Sequence, residues 1–327
     1  MDFLSHLVTV YLILYAVNIH SDSMFIVAIL GGAFPDFDIF FFPIKERVKV
    51  LRHHGIFHTY LFLGVVFIPV SIIIGSVYRM NTITIDYMLL LLGGSVHLLM
   101  DGLTDFQIAP FEPFSKIEIG IGIDRAVNVY MLLLSTFFTV TLFIFRAYSI
   151  NIIYFNLMLY ILYSIFVINY GTRVLIYSSL YLKHRTGEMN IAIEPTSSPF
   201  RWYVVKWASH KDDYTSILYS IDLLHRTETV IKKTDLSANS INDKKIFYNS
   251  IKVIMDHNMF DPGIFPYSVE TGIDRISVIW YYPQYHFKRF FMGIEVIFFS
   301  NGKNELKELF GSIKNYKTET DGSQTGL

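Results

Sequence analysis

The chain of 327 residues contains no cysteine. That absence excludes disulfides, cysteine nucleophiles and thiolate metal sites, and it leaves His, Asp and Glu as the strong protein ligands for a metal. An excess of one charge is missing too, since 27 Lys and Arg stand against 28 Asp and Glu for a net charge of −1. Nucleic-acid binders are strongly basic as a rule, so no nucleic acid is expected as a partner. The sequence has no P-loop, Gly-rich dinucleotide fingerprint, serine nucleophile elbow or internal repeat. Its first residues, MDFLSHLVTVYLILYAVNIHSDS, lack the basic segment and small-residue cleavage site of a secretory signal, so Met1 is expected to belong to the mature protein.

Apolar side chains are what the chain has in excess. They make up 52% of it and raise the mean hydropathy to +0.41, above the ordinary range for a soluble protein and indicative of a membrane protein. Six apolar passages lie at 3–19, 24–33, 60–77, 87–100, 129–145 and 152–182. The first, second and fourth fall short of the roughly 20 residues that cross a hydrocarbon core, and are expected to tilt, re-enter or pack inside a bundle. The expected fold is mainly α, a polytopic membrane helical bundle over 1–185 followed by a small cytoplasmic α+β domain with an antiparallel sheet. A linker at 186–200 contains EPTSSPF, the second domain occupies 201–312, and a polar tail at 313–327 is expected to be disordered. FRWYVVKWAS, YTSILYSIDLL, RISVIWYYPQY and RFFMGIEVIFF read as strands, Lys244–Met255 as a helix, and the stretch from Asn301 as a weak amphipathic helix.

Histidines and aspartates cluster at the ends of the apolar passages. LRHHGIFHT holds His53, His54 and His58; PDFD holds Asp36 and Asp38; HLLMD holds His97 and Asp101; His6 opens the first passage. Imidazole is the commonest metal ligand, and a site needs three or four converging groups. His97 and Asp101 stand four apart, on one helix face, where they can grip one ion. The same spacing relates His54, rather than His53, to His58, although Gly55 between them allows a turn. If PDFD is extended, Asp36 and Asp38 point the same way. Threading the passages through a bilayer brings His6, Asp36, Asp38, the 45–58 loop, His97 and Asp101 to one face. Lys45, Arg47, Lys49, Arg52, Lys116, Arg125, Lys183 and Arg185 mark that face as cytoplasmic, against Arg79 and Arg146 on the other. The basic loop serves first as a topology signal and could also attract anionic headgroups.

In motif order, His6, GGAFPDFD, HHGIFHT, HLLMDGLTDF with PFEPFSK, and SSPFRWYVV resemble the membrane-bound metal-dependent hydrolase family, the YdjM-like group of LexA-binding inner-membrane-associated hydrolases, over residues 1–210. The resemblance places His53 and His58 on the two histidines of His-Arg-Gly-x-x-His-Ser, with Thr59 on its serine, His54 in place of the Arg and Phe57 in place of the usual Thr. His97, Asp101 and Thr104 fall on His-x-x-x-Asp-x-x-Thr, with Asp105 where a Pro is common, and Asp36 and Asp38 fall on Pro-Asp-x-Asp. Loss of the Arg removes a guanidinium suited to phosphate. The family resembles the zinc-dependent phospholipase C and nuclease group, which implies metal-assisted hydrolysis of a phosphoester. On this reading His6, Asp36, His58, His97 and Asp101 bind a divalent metal, zinc by expectation. His53 is a further ligand or a catalytic group beside the site, and Asp38 orients a ligand or acts as base. The expected partners are the membrane lipid bilayer and a lipid or other phosphoester substrate, at the cytoplasmic side of the cell membrane. The alternative is a non-catalytic scaffold or transporter with a structural metal site and a protein partner for its cytoplasmic domain.

Overall fold

A computed structural model describes residues 3–19, 21–41, 55–78, 82–104, 107–115, 117–125, 128–148, 152–185, 187, 189–210, 213–235, 241–256, 267–281, 290–300 and 302–312. The chain divides into two compact units, Met1–Leu175 and Ile176–Leu327.

The first unit is helical. It comprises α1 (Phe3–Ala16), α2 (Asp22–Ala33), α3 (Tyr60–Ile73, continued by a wide π turn over Ile74–Tyr78), α4 (Ile83–Gly102), α5 (Val129–Ala147) and the start of α6 (Ile152–His184). Among the described residues, three of these helices are long and apolar enough to cross a membrane: Tyr60–Val77, Ile83–Gly102 and Ile153–His184. The fourth passage is thus longer than the sequence suggested, because Thr82 caps it one turn earlier by accepting a hydrogen bond from Ile85 N. With 14 and 12 residues, α1 and α2 rise only about 21 and 18 Å.

These two short helices pack into the bundle. Val10, Leu12 and Leu14 of α1 and Val27 and Ala28 of α2 are buried with Leu63, Phe67, Leu90 and Phe138 in one apolar core. Close approach of α2 to α4 depends on glycine. A Cβ at Gly93 would lie 1.9 Å from the Ala28 carbonyl oxygen, and one at Gly31 would lie 2.2 Å from that of Leu90. Backbone therefore meets backbone, as in small-residue helix pairs. Ser5 Oγ, 3.0 Å from Ser135 Oγ, joins α1 to α5.

The second unit holds two four-stranded antiparallel meanders. One runs β1 (Asn190–Pro195), β2 (Arg201–His210), β3 (Asp213–Asp222), β4 (Thr227–Asp235); the other runs β5 (Tyr267–Thr271), β6 (Arg275–Tyr281), β7 (Phe290–Phe299), β8 (Asn304–Ser312). Helix α7 (Ile241–Asp256) sets Phe247 and Ile254 against Trp280, Ile294 and Val296. The end of α6 sets Leu180 among Ile193, Trp202, Val204 and Ile221 of the first sheet.

Several expectations are corrected here. The stretch after Asn301 is strand β8, not an amphipathic helix, with Val296 of β7 opposite Leu306. Its charged residues suit either form, and the open edge of β7 decides by supplying a full row of backbone partners. The expected linker at 186–200 contains β1, whose Ile193 is buried. Strand β4, TETVIKKTD, has almost no buried position and so carries no apolar alternation to read. The expected tail at 313–327 lies outside the described residues.

Candidate metal centre

Four separate segments bring acidic and imidazole groups together in the first unit. His6 comes from the first turn of α1, Asp36 and Asp38 from a 3₁₀ turn at Pro35–Phe41 after α2, His58 from a single turn at Ile56–His58, and His97 and Asp101 from α4. Thr59 explains the position of His58, since its hydroxyl accepts from Phe62 N and starts α3 immediately after the histidine. His97 and Asp101 lie on one face of α4, as their spacing requires, with 3.1 Å between Nε2 and Oδ2.

Around that pair, His58 Nε2 stands 3.4 Å from His97 Nε2 and 3.4 Å from Asp101 Oδ2. Asp36 Oδ1 is 3.8 Å from His97 Nε2, and His6 Nε2 is 3.2 Å from Asp101 Oδ1. The His6 and His97 rings stack with centroids 3.8 Å apart. Two overlapping sets result, His6 with Asp36 and His97, and His58 with His97 and Asp101.

PDFD does not run extended. It forms a 3₁₀ turn, in which residues two apart point in different directions, so its two carboxylates part company. Asp36 reaches the cluster, whereas Asp38 Oδ2 lies 3.6 Å from Nδ1 of His58, behind the nitrogen that faces the other ligands.

Three observations test whether a cation fits. First, ligands held about 2.0–2.2 Å from one zinc ion in a tetrahedron stand about 3.3–3.6 Å apart, and the spacings among His58, His97 and Asp101 are 3.1, 3.4 and 3.4 Å. Second, the tautomer of His97 is set for ligation. Its Nδ1 is 2.8 Å from the Gly32 carbonyl oxygen, which can only accept, so Nδ1 carries the hydrogen and Nε2 turns a lone pair toward the cluster. Third, among the described residues, Nδ1 of the fully buried His6 and Oδ2 of Asp36 have no hydrogen-bond partner, and His6 Nε2 meets only Asp101 Oδ1 at 3.2 Å. Buried polar atoms of this kind cost about 1–3 kcal/mol each when unmatched, a cost that a cation removes. The residues fit a divalent metal bound by nitrogen and oxygen.

The electrostatics agree. Burial pushes the Asp36 carboxyl above its ordinary value, so its charged form needs a cation nearby. Burial also pushes His58 below the ordinary imidazole value and keeps it neutral, the state that ligates. Asp36 is the open edge, with 18% of its side chain exposed against 0–2% for His6, His58, His97 and Asp101.

His53 and His54 lie outside the described residues, as do Lys45, Arg47, Lys49, Arg52, Arg79, Asp105 and Lys116. Sequence reasoning passed over the Gly32 carbonyl, which has no side-chain signature, and three buried ionisable groups, Arg173, Asp124 and Asp86. Arg173 of α6, wholly buried, sets Nη1 3.2 Å from Asp124 Oδ1, which also accepts from Arg125 N and Asn128 Nδ2. Asp124 lies in a segment whose backbone bonds to residues 102–104, directly after Asp101. Asp86, in the first turn of α4, is also fully buried. An Arg inside INYGTRVLIY and an Asp inside TIDYMLLLL were the available signals, because ionisable groups within apolar segments are costly and rarely idle.

A family model described as YdjM inner membrane protein matches residues 1–174, more than half of the chain, and the chain belongs to that family. The match takes in every residue of the cluster and ends where the sheet-bearing unit begins. No curated protein and no solved structure matches the chain.

Proposed function

We propose that this protein is an integral-membrane, metal-dependent hydrolase that cleaves a phosphoester, a lipid one by preference, at the cytoplasmic face. The observation that carries the reading is the convergence of His6, Asp36, His58, His97 and Asp101 with one open edge at Asp36. Inner-membrane family membership and the apolar helices support a membrane setting. The excess of Lys and Arg at one set of helix ends supports the cytoplasmic orientation.

A divalent cation such as zinc supplies, when bound, a Lewis acid that polarises a phosphoryl oxygen and makes water more acidic. The chain's own groups do the rest. His97 presents a fixed lone pair because Gly32 holds its other nitrogen. Asp38, 3% exposed and set behind His58, is a positioning residue that stabilises that ring's orientation rather than a base in contact with substrate. Asp36, at the open edge, is placed to take a proton from an entering water and to release it to solvent.

The deep burial of the other four ligands favours one competing reading, a closed structural site in a non-catalytic scaffold. Elemental mass spectrometry on detergent-purified wild type and His97→Ala, followed by phosphodiester turnover, separates the two. The hydrolase reading requires stoichiometric metal and turnover that are both lost in the variant. Metal lost without any turnover in the wild type would move the assignment to the scaffold, and metal-free wild type would end both.

A further inference from the structure

We infer that the hairpin whose described residues are 107–115 and 117–119 is a membrane-inserting element that holds the metal centre at the headgroup level of the bilayer; this rests on the reading of α3 as a membrane span. The root of the hairpin is firm. Ile108 and Ile119 exchange two backbone hydrogen bonds, and Ile108 is buried. Beyond it, Ile121 N, Gly122 N and Ile123 N donate to the carbonyls of Gly102, Thr104 and Leu103, which directly follow Asp101. Among the described residues of the tip, Phe111, Phe114 and Ile117 are exposed by 48, 81 and 64%, beside exposed Glu112 and Glu118.

Continuity with a lipid-facing surface identifies the occupant. Tyr60, the first residue of α3, donates its N–H to the Pro110 carbonyl and stacks its ring on Phe111, centroids 5.6 Å apart. From there α3 exposes Leu61, Val65, Ile68 and Ile72, a single stripe at helical spacing. The hairpin tip prolongs that stripe past the helix start, at the depth where aromatic rings collect in membrane proteins. Its backbone suits this place. Pro110 and Pro113 have no N–H, while Glu112 N, Ser115 N and Ile117 N donate to Ala109 O, Phe111 O and Ser115 Oγ. Glu112 and Glu118 are exposed and restrict the tip to the interface rather than the hydrocarbon centre. An anchor bonded to the backbone after Asp101 thus matches the site to a phosphoester carried by a lipid headgroup.

The chain has no cysteine, so single cysteines can be labelled cleanly. Phe114→Cys, Ile68→Cys and Ile273→Cys, each bearing a nitroxide in the full-length protein reconstituted into phosphatidylglycerol/phosphatidylethanolamine vesicles, are compared for collision with oxygen and with a water-soluble nickel chelate. Position 68 reports the lipid-facing stripe, and fully exposed Ile273, in a turn of the second unit, reports water. The expected result is an oxygen-over-nickel preference at 114 with the sign seen at 68 and opposite to that at 273. Nickel access at 114 with oxygen preference at 68 overturns the hairpin proposal alone. Shielding of 114 from both reagents overturns it in favour of a protein cover, and nickel access at 68 overturns it together with the span.

Discussion

Gly93→Ala tests the link between helix packing and the candidate metal centre. The added Cβ would lie 1.9 Å from Ala28 O and 2.6 Å from Gly32 N, both backbone atoms that cannot swing aside. Reaching an ordinary C···O contact of about 3.3 Å requires α2 and α4 to separate by about 1.4 Å at this point (3.3 − 1.9). Gly32 is the penultimate residue of α2, and its carbonyl receives the His97 Nδ1 hydrogen at 2.8 Å, so a shift of that size takes the bond beyond hydrogen-bonding distance. Losing an orienting partner of a metal ligand costs about 10–100-fold in affinity, or roughly 1.4–2.7 kcal/mol. Overpacking costs a further ~1–3 kcal/mol of stability. Zinc affinity by chelator competition in detergent and a thermal melt read the two effects separately. Gly64→Ala is the control, because the atom nearest to its new Cβ is Tyr87 Oη at an ordinary 3.8 Å. It is expected to keep wild-type affinity and to gain slightly in helix stability. Wild-type zinc affinity in Gly93→Ala would refute the role given to the Gly32 carbonyl.

Two further variants probe the groups around the centre. Asp38→Asn leaves the shape of the turn but removes the charge 3.6 Å behind His58, so zinc affinity is expected to fall about 10–100-fold while metal still binds at saturation; complete loss of metal would make Asp38 a direct ligand instead. Arg173→Gln strands the buried Asp124 carboxylate and is expected to destabilise the helical unit by ~3–5 kcal/mol in a denaturation series. Adding Asp124→Asn should recover much of that loss, and a double variant worse than the single would show that the pair is not coupled.

Much of this protein can be read from residue type and spacing alone. The lack of cysteine restricts a metal site to His and carboxylate. Apolar runs separated by polar turns place the helices, and a four-residue interval puts His97 and Asp101 on one face because the α-helix turns once in 3.6 residues. The change of composition after residue 182 marks the second unit, whose α7 (Ile241–Asp256) covers the helix read at Lys244–Met255 between the strands. Tertiary structure decided the rest. A 3₁₀ turn sends Asp36 to the cluster and Asp38 behind His58, and a backbone carbonyl sets the tautomer of His97. An unpaired edge of β7 makes a strand of NELKELFGS. For His58 and His97 the partner lies far away along the chain, whereas β8 pairs with its neighbour β7 across a short turn. Local propensity and periodicity report only on near neighbours, and the preference is settled when a distant backbone group must be paired or a buried charge matched.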